Sequence, residues 1–242
     1  MRLILVSLFL IMYSFFTIPM CIVEWAAGRA NPQKKAIIAQ KCVVAGFKII
    51  LFISGVKLTV KGEENILHGH AALYTYNHRG FFDILVGYTT APMRTAYVSK
   101  KEIENVPMIS WWMKCMNCLF LDRENIKQGM KTILDGIELM KNGTSIYIAP
   151  EGTRNTGEGL LKFHDASFKL ADKSKSPVVP VAINNTDEVF EKHFPWIHSQ
   201  HVIIEYCTPI YMEHMDKNEK KRIGEMVRQI ISEKIEQNAQ EI

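Results

Sequence analysis

The chain has 242 residues, of which 48% are hydrophobic and 22% charged, with a formal net charge of +4 at neutral pH. Residues 1 to 60 carry seven Lys/Arg and one Glu, or +6, which leaves −2 for the rest of the chain. A basic face spread over a globular domain, as nucleic-acid binding requires, is thereby excluded, and the charge points to an anionic lipid surface at the N-terminal end.

Leu3 to Val23 contain no charged side chain, and as a helix they reach about 30 Å, enough to cross a hydrocarbon core. Arg2 before this apolar stretch suits a signal peptide, but the stretch is long and no small-x-small site closes it, so retention is expected. Arg29, Lys34 and Lys35 then favour a cytoplasmic location for the residues beyond them. A second apolar segment, Ala36 to Ser54, carries Lys41 and Lys48 seven residues apart, on nearly one helical face. That pattern predicts either an interfacial helix with snorkelling lysines or a helix packed on the neighbouring domain. The first 55 residues are therefore read as a membrane-associated helical pair, and 56–242 as one catalytic domain.

Ala72 to Tyr76 read as a short buried strand, and an apolar run opens at Asp83 with Ile84, Leu85 and Val86. Between them lie His78 and Asp83. Five residues of helix would leave the two about 140° apart, so only a strand-to-helix turn brings them together. Imidazole is the side chain suited to take a proton from an alcohol near neutral pH, and a carboxylate can fix its tautomer. A His-carboxylate pair is also a common structural hydrogen bond, so the reading needs support from elsewhere.

Further strands are expected at Arg94 to Val98, Cys118 to Leu121, Ser145 to Ile148, Val178 to Ile183 and Val202 to Tyr206. Ile126, Met130, Ile133, Leu134, Ile137 and Met140 form one predicted apolar helix face, stopped at Gly143. Ile223, Met226, Val227, Ile230 and Ile231 repeat the pattern near the C-terminus, after a solvated helix face from Lys217 to Arg222. The alternation predicts an α/β fold: a single catalytic domain with a mixed β-sheet covered by helices. The odd count of five cysteines argues against a secreted disulfide scaffold. Cys115 and Cys118 have redox spacing but lie beside an apolar strand with no completing ligands, so burial is expected and no metal site is assigned. Trp111 and Trp112 are expected to pack in the core.

The support comes at Pro150-Glu151-Gly152-Thr153-Arg154, a polar loop after a strand. Arg154 offers a planar fork for phosphate, Gly152 permits close backbone approach, Thr153 adds a hydroxyl, and Glu151 can orient the Arg or a ligand hydroxyl. An ordinary turn with an internal Glu-Arg pair explains the same residues when taken alone.

Together with Asn77-His78 and Asp83, Phe120-Leu121-Asp122-Arg123 and Val179-Pro180-Val181, this loop resembles four ordered blocks of the glycerolipid acyltransferase family, nearest to the bacterial 1-acylglycerol-3-phosphate (lysophosphatidate) acyltransferases. The likeness runs from about Val56 to Ile210. It departs from the family pattern at Asn117 (usually Gly), Gly80 (frequently Ser), Ala149 (commonly Phe) and His164-Asp165-Ala166 (a more basic run).

The resemblance implies transfer of a fatty acyl group from a thioester to the sn-2 hydroxyl of 1-acylglycerol 3-phosphate, yielding phosphatidate. His78 is then the general base and Asp83 its orienter, with no acyl-enzyme. Arg123 and Arg154 grip the acceptor phosphate, while Glu151, Gly152 and Thr153 shape its glycerol end. Amides around Gly80 or the Lys100 side chain are the implied oxyanion donors. No cofactor is bound permanently; the donor is an acyl-ACP (acyl carrier protein) or acyl-CoA thioester. Implied partners are lysophosphatidate and a membrane phospholipid surface, with the catalytic domain on the cytoplasmic face of the cell membrane. Glycerol 3-phosphate or another lysophospholipid is the alternative acceptor. A non-catalytic lipid-phosphate module would keep the arginines without needing the His78-Asp83 pair, and a hydrolase using water as acceptor is disfavoured because the chain shows no Gly-x-Ser-x-Gly elbow.

Overall fold

The computed structural model describes the backbone of residues 1–242 and all side chains except those of Ile18 and residues 20–30. In chain order the elements are α1 (Arg2–Ala30), α2 (Pro32–Ser54), β1 (Lys57–Lys61), β2 (Leu73–Tyr76), α3 (Phe82–Thr90), β3 (Thr95–Lys100), α4 (Pro107–Cys115) and β4 (Leu119–Leu121). They continue with α5 (Ile126–Lys141), β5 (Ser145–Ile148), α6 (Lys169–Ser174), β6 (Val178–Asn184), α7 (Thr186–Val189), β7 (His201–Tyr206), α8 (Lys217–Lys221) and α9 (Ile223–Asn238). Seven strands form one sheet in the order β1-β7-β6-β2-β5-β3-β4. Only the β6-β7 pair is antiparallel, so the sheet is mixed, as expected.

Strand side chains alternate between the two faces, and each face has its own core. Tyr74, Tyr76, Tyr147, Val179, Val181 and Ile204 point to the side covered by α2, α3 and α4. Leu73, Ile146, Ile148, Val178 and Ala182 point to the side covered by α5, α6 and α9. Because both faces are covered, the central strands β2, β5 and β6 are buried at every position, which is why they read as continuous apolar runs in the sequence.

Helix α2 does not stand apart from the sheet. Asn31 caps α2, its side chain accepting from the Gln33 and Lys34 amides, with Pro32 at the first helical position. Ala39, Val43 and Leu51 of α2 join the core above the sheet. Gln40, only 1% exposed, donates to the Pro92 carbonyl (2.9 Å) and accepts from the Thr95 amide (2.9 Å), stapling α2 to the start of β3. Lys41 and Lys48 lie on the exposed side, away from the face of α2 that packs on the neighbouring domain. Among the described residues, α2 is long and apolar enough to cross a membrane, and Arg2–Thr17 is a shorter apolar stretch. The far end of the predicted span Leu3 to Val23, with Cys21 and Arg29, lies outside the described side chains.

Two expectations need correction. The apolar face of α5 splits: Ile137 and Met140 are buried, whereas Ile126, Met130 and Leu134, which recur every four residues, form an exposed stripe beside them. Strand β1 goes unannounced in the sequence, since Lys57-Leu58-Thr59-Val60-Lys61 has too little apolar content for an edge strand to be read without its partner β7. Cys115, Cys118 and Trp112 are buried as predicted. Burial raises the Cys118 thiol pKa, and its sulfur faces the Tyr88 hydroxyl at 3.1 Å.

Candidate active site

The site forms where β2 ends and α3 begins. Asn77, 1% exposed, pins the exit of β2 to β6: its side chain donates to the Ile183 carbonyl and accepts from the Ile183 amide, each at 2.8 Å. The chain then turns, and Asp83 enters as the second residue of α3. His78 Nδ1 lies 2.7 Å from Asp83 Oδ2, although the two are five residues apart.

Asp83 is fully buried, and its surroundings consist of donors. Oδ2 also accepts from the amides of Arg79 (2.7 Å) and Gly80 (2.8 Å), while Oδ1 accepts from the Thr186 hydroxyl at the start of α7. An oxygen already serving two amides meets Nδ1 as an acceptor, so the imidazole carries its proton on Nδ1 and presents a lone pair at Nε2. The ring packs edge-on to Tyr76, with centroids 5.8 Å apart. Tyr76, Tyr97 and Tyr147 below it are buried, and burial raises each of their pKa values, so these phenols stay neutral.

Glu151 takes a different place from the one expected. It is 4% exposed; Oε1 accepts from the His78 amide (3.0 Å) and Oε2 from the Leu161 amide (2.9 Å). The carboxylate therefore joins the His78 loop to the segment after the Gly-rich stretch. The same junction is completed by Asn155, whose amide donates to the His78 carbonyl at 2.8 Å, and by Arg79, whose guanidinium donates to the Gly157 and Gly159 carbonyls.

The Gly80 amide, predicted as an oxyanion donor, is likewise committed to Asp83. The next amide, Phe81, donates to Glu191 Oε1 at 2.6 Å. Lys100 is exposed at the end of β3, while its neighbour Lys101 pairs with Asp122 at 2.9 Å and helps fix the turn before Arg123.

The cationic residues sit on the open side. The Arg154 guanidinium lies over the Phe81 ring, 4.4 Å from its centroid, and 3.7 Å from Glu191 Oε1. Gly152 has φ 75°, in the left-handed region, and a Cβ there would lie 3.2 Å from the His164 ring and 4.0 Å from the Arg123 guanidinium. Arg123 and His164 thus converge on the Gly152 backbone. Partial desolvation lowers the Arg123 pKa, with Glu102 pulling the other way. His164 stands in the run that departs from the family's basic pattern and supplies an imidazole at this spot. Asn117 has φ 59°, the conformation that explains the usual Gly there and that Asn tolerates. Val179 and Val181 of β6 are buried on the α2-α3 side of the sheet. Thr153 is exposed next to Arg154. No group of three or more His, Cys, Asp or Glu able to hold a metal ion occurs among the described residues.

Sequence reasoning misses Arg79, Asn155, Thr186 and Glu191, and it treats Asn77 only as a neighbour of His78. Asn77 and Arg79 flank the base and are within reach of its motif; the others depend on contacts across the sheet.

Comparison with known proteins extends the likeness. The family model described as Acyltransferase matches residues 57–184. The chain is 29% identical over 192 residues to the 1-acyl-sn-glycerol-3-phosphate acyltransferase of Borreliella burgdorferi, covering 79% of this chain and 77% of that protein. Identity to the Escherichia coli protein of the same name is 27% over 172 residues, covering 71% of this chain and 69% of that one. The crystal structure of the 1-acyl-sn-glycerophosphate (LPA) acyltransferase from Thermotoga maritima superposes with a TM-score of 0.75 over 99% of this chain and 98% of that chain, at 23% identity, which speaks for a shared fold.

Proposed function

The chain belongs to the acyltransferase family, and from that membership we propose that it transfers a fatty acyl group from an acyl thioester to the sn-2 hydroxyl of 1-acylglycerol 3-phosphate, forming phosphatidate. The observation that carries the chemistry is the 2.7 Å contact from His78 Nδ1 to a buried Asp83, which leaves Nε2 as the acceptor of the hydroxyl proton.

In this reading Nε2 takes the proton as the acceptor oxygen attacks the thioester carbonyl. The tetrahedral intermediate collapses, the C–S bond breaks, and the departing thiolate recovers the proton from the imidazolium. Asp83 stabilises that imidazolium and holds the ring. Attack is direct, so no covalent acyl-enzyme is formed.

Arg123 and Arg154 bind the acceptor phosphate, with Thr153 and the Gly152 backbone beside them and His164 adding a donor. Glu151 acts on His78 through the backbone. The donor is a thioester of acyl carrier protein or coenzyme A. Residues 1–55 attach the enzyme to a phospholipid surface, the exposed Lys41 and Lys48 facing headgroups, and 56–242 carry the chemistry on the cytoplasmic face.

An assay of purified enzyme with lysophosphatidate, glycerol 3-phosphate and monoacylglycerol against both thioester types tests this directly. The expected result is activity on lysophosphatidate that His78→Ala reduces by about three orders of magnitude in a folded protein. Equal turnover of the unphosphorylated acceptor, or an undiminished His78→Ala, would refute the assignment.

A further inference from the structure

Glu191 begins the turn Glu191–His193 that comes after α7, in no motif of the chain, yet its carboxylate lies inside the site. Oε1 accepts from the Phe81 amide at 2.6 Å and stands 3.7 Å from Arg154 Nη1. Oε2 is buried with no hydrogen-bond partner. The side chain as a whole is 16% exposed. It packs so closely on Gly80 that any Cβ at that position would overlap the carboxylate, so the Gly found there, in place of the family's frequent Ser, and Glu191 are a matched pair.

This is an anion held incompletely. One oxygen has a single good donor and a loose ion pair, and the other is buried without a donor, an arrangement that disfavours the charge. Burial accordingly raises the Glu191 pKa from its ordinary value; the Phe81 amide and Arg154 oppose the shift, and the nearby Asp83 adds to it. What holds Glu191 Oε1 is a backbone N–H and a guanidinium side by side, the donor set that a phosphate oxygen uses.

Building on the acyltransferase reading, we infer that Glu191 is a built-in surrogate for the acceptor phosphate, which binds by displacing the Glu191 carboxylate from Arg154 and the Phe81 amide. The carboxylate keeps Arg154 stacked on Phe81 while the site is empty. It also sets a threshold for the acceptor. A phosphate dianion outcompetes a poorly solvated monoanion for the guanidinium but pays for the displacement, whereas a neutral glycerol headgroup leaves the carboxylate in place and does not meet that threshold.

The test is steady-state kinetics of the full-length wild type and Glu191→Gln with lysophosphatidate and with monoacylglycerol, together with competitive inhibition by inorganic phosphate. Gln keeps the shape and an oxygen for the Phe81 amide but surrenders the charge that engages Arg154. The KM for lysophosphatidate and the inhibition constant of phosphate should both fall about five-fold, the scale of one partly exposed ion pair. Values that are unchanged or higher would overturn the inference, because a residue that merely supports Arg154 would weaken phosphate binding when removed. If Glu191→Gln fails to fold, Gly80→Ala, which pushes the carboxylate aside, should shift the phosphate inhibition constant in the same direction, and a constant that stays put or rises overturns the inference. Wild-type enzyme that turns over no lysophosphatidate would instead refute the underlying acyltransferase reading.

Discussion

The two sides of His78 are built differently. Beneath the imidazole, every carboxylate oxygen has its donors: Asp83 accepts from His78, Arg79, Gly80 and Thr186, and Glu151 from His78 and Leu161. On the open side, Arg154 has a stacking partner and a distant carboxylate, and Arg123 and His164 gather around a glycine. The buried side is preorganised, and the open side is loosely tied. In the proposed reaction a proton transfer needs fixed geometry, whereas an arriving acceptor needs a grip that can open.

Substitutions on the buried side should therefore act on turnover, and those on the open side on saturation. Asp83→Asn removes the charge and offers one oxygen where four donors converge, so kcat should fall by about three to four orders of magnitude in rapid-quench or continuous thiol-release assays. Glu151→Gln places an NH2 against either the His78 or the Leu161 amide; the resulting donor-donor conflict should cost about 1–3 kcal/mol in denaturant unfolding and lower kcat more than it raises KM. Should Glu151→Gln instead change KM alone, the carboxylate would belong with the acceptor and the contrast between the two sides would fail. Arg154→Lys should be mildest, raising the KM for lysophosphatidate about three- to ten-fold at nearly constant thermal stability, because a point charge loses the planar fork and the stack on Phe81.

Legibility in the sequence divides along the same line. His78 and Asp83 are legible because a strand signal, a turn and an apolar run lie within the fifteen residues from Ala72 to Val86, and the turn alone solves their mutual geometry. Arg123 and Arg154 are legible as types suited to phosphate, and Gly152 as a place for close approach. The role of Glu151 is not, since its partners Leu161 and His78 are set by how two loops meet after the sheet forms. Thr186 and Glu191 come from the far side of β6 and reach Asp83 and Phe81 across more than 100 positions of chain. Local pattern has no access to such contacts. The split face of α5 misleads for a related reason: periodicity gives the width of an apolar arc but not how much of it the sheet can cover.

Gln40 carries the remaining consequence. With its amide bonded to the Pro92 carbonyl and the Thr95 amide inside the core, α2 cannot lift from the sheet without leaving buried polar groups unsatisfied at the root of β3. Helix and strand should therefore open as one cooperative unit, which hydrogen exchange would report as shared protection of their backbone amides rather than independent fraying. In the proposed attachment to a lipid surface, a pull on α2 is a pull on the floor of the sheet, so the depth at which the protein settles and the height of His78 above that surface become a single mechanical variable.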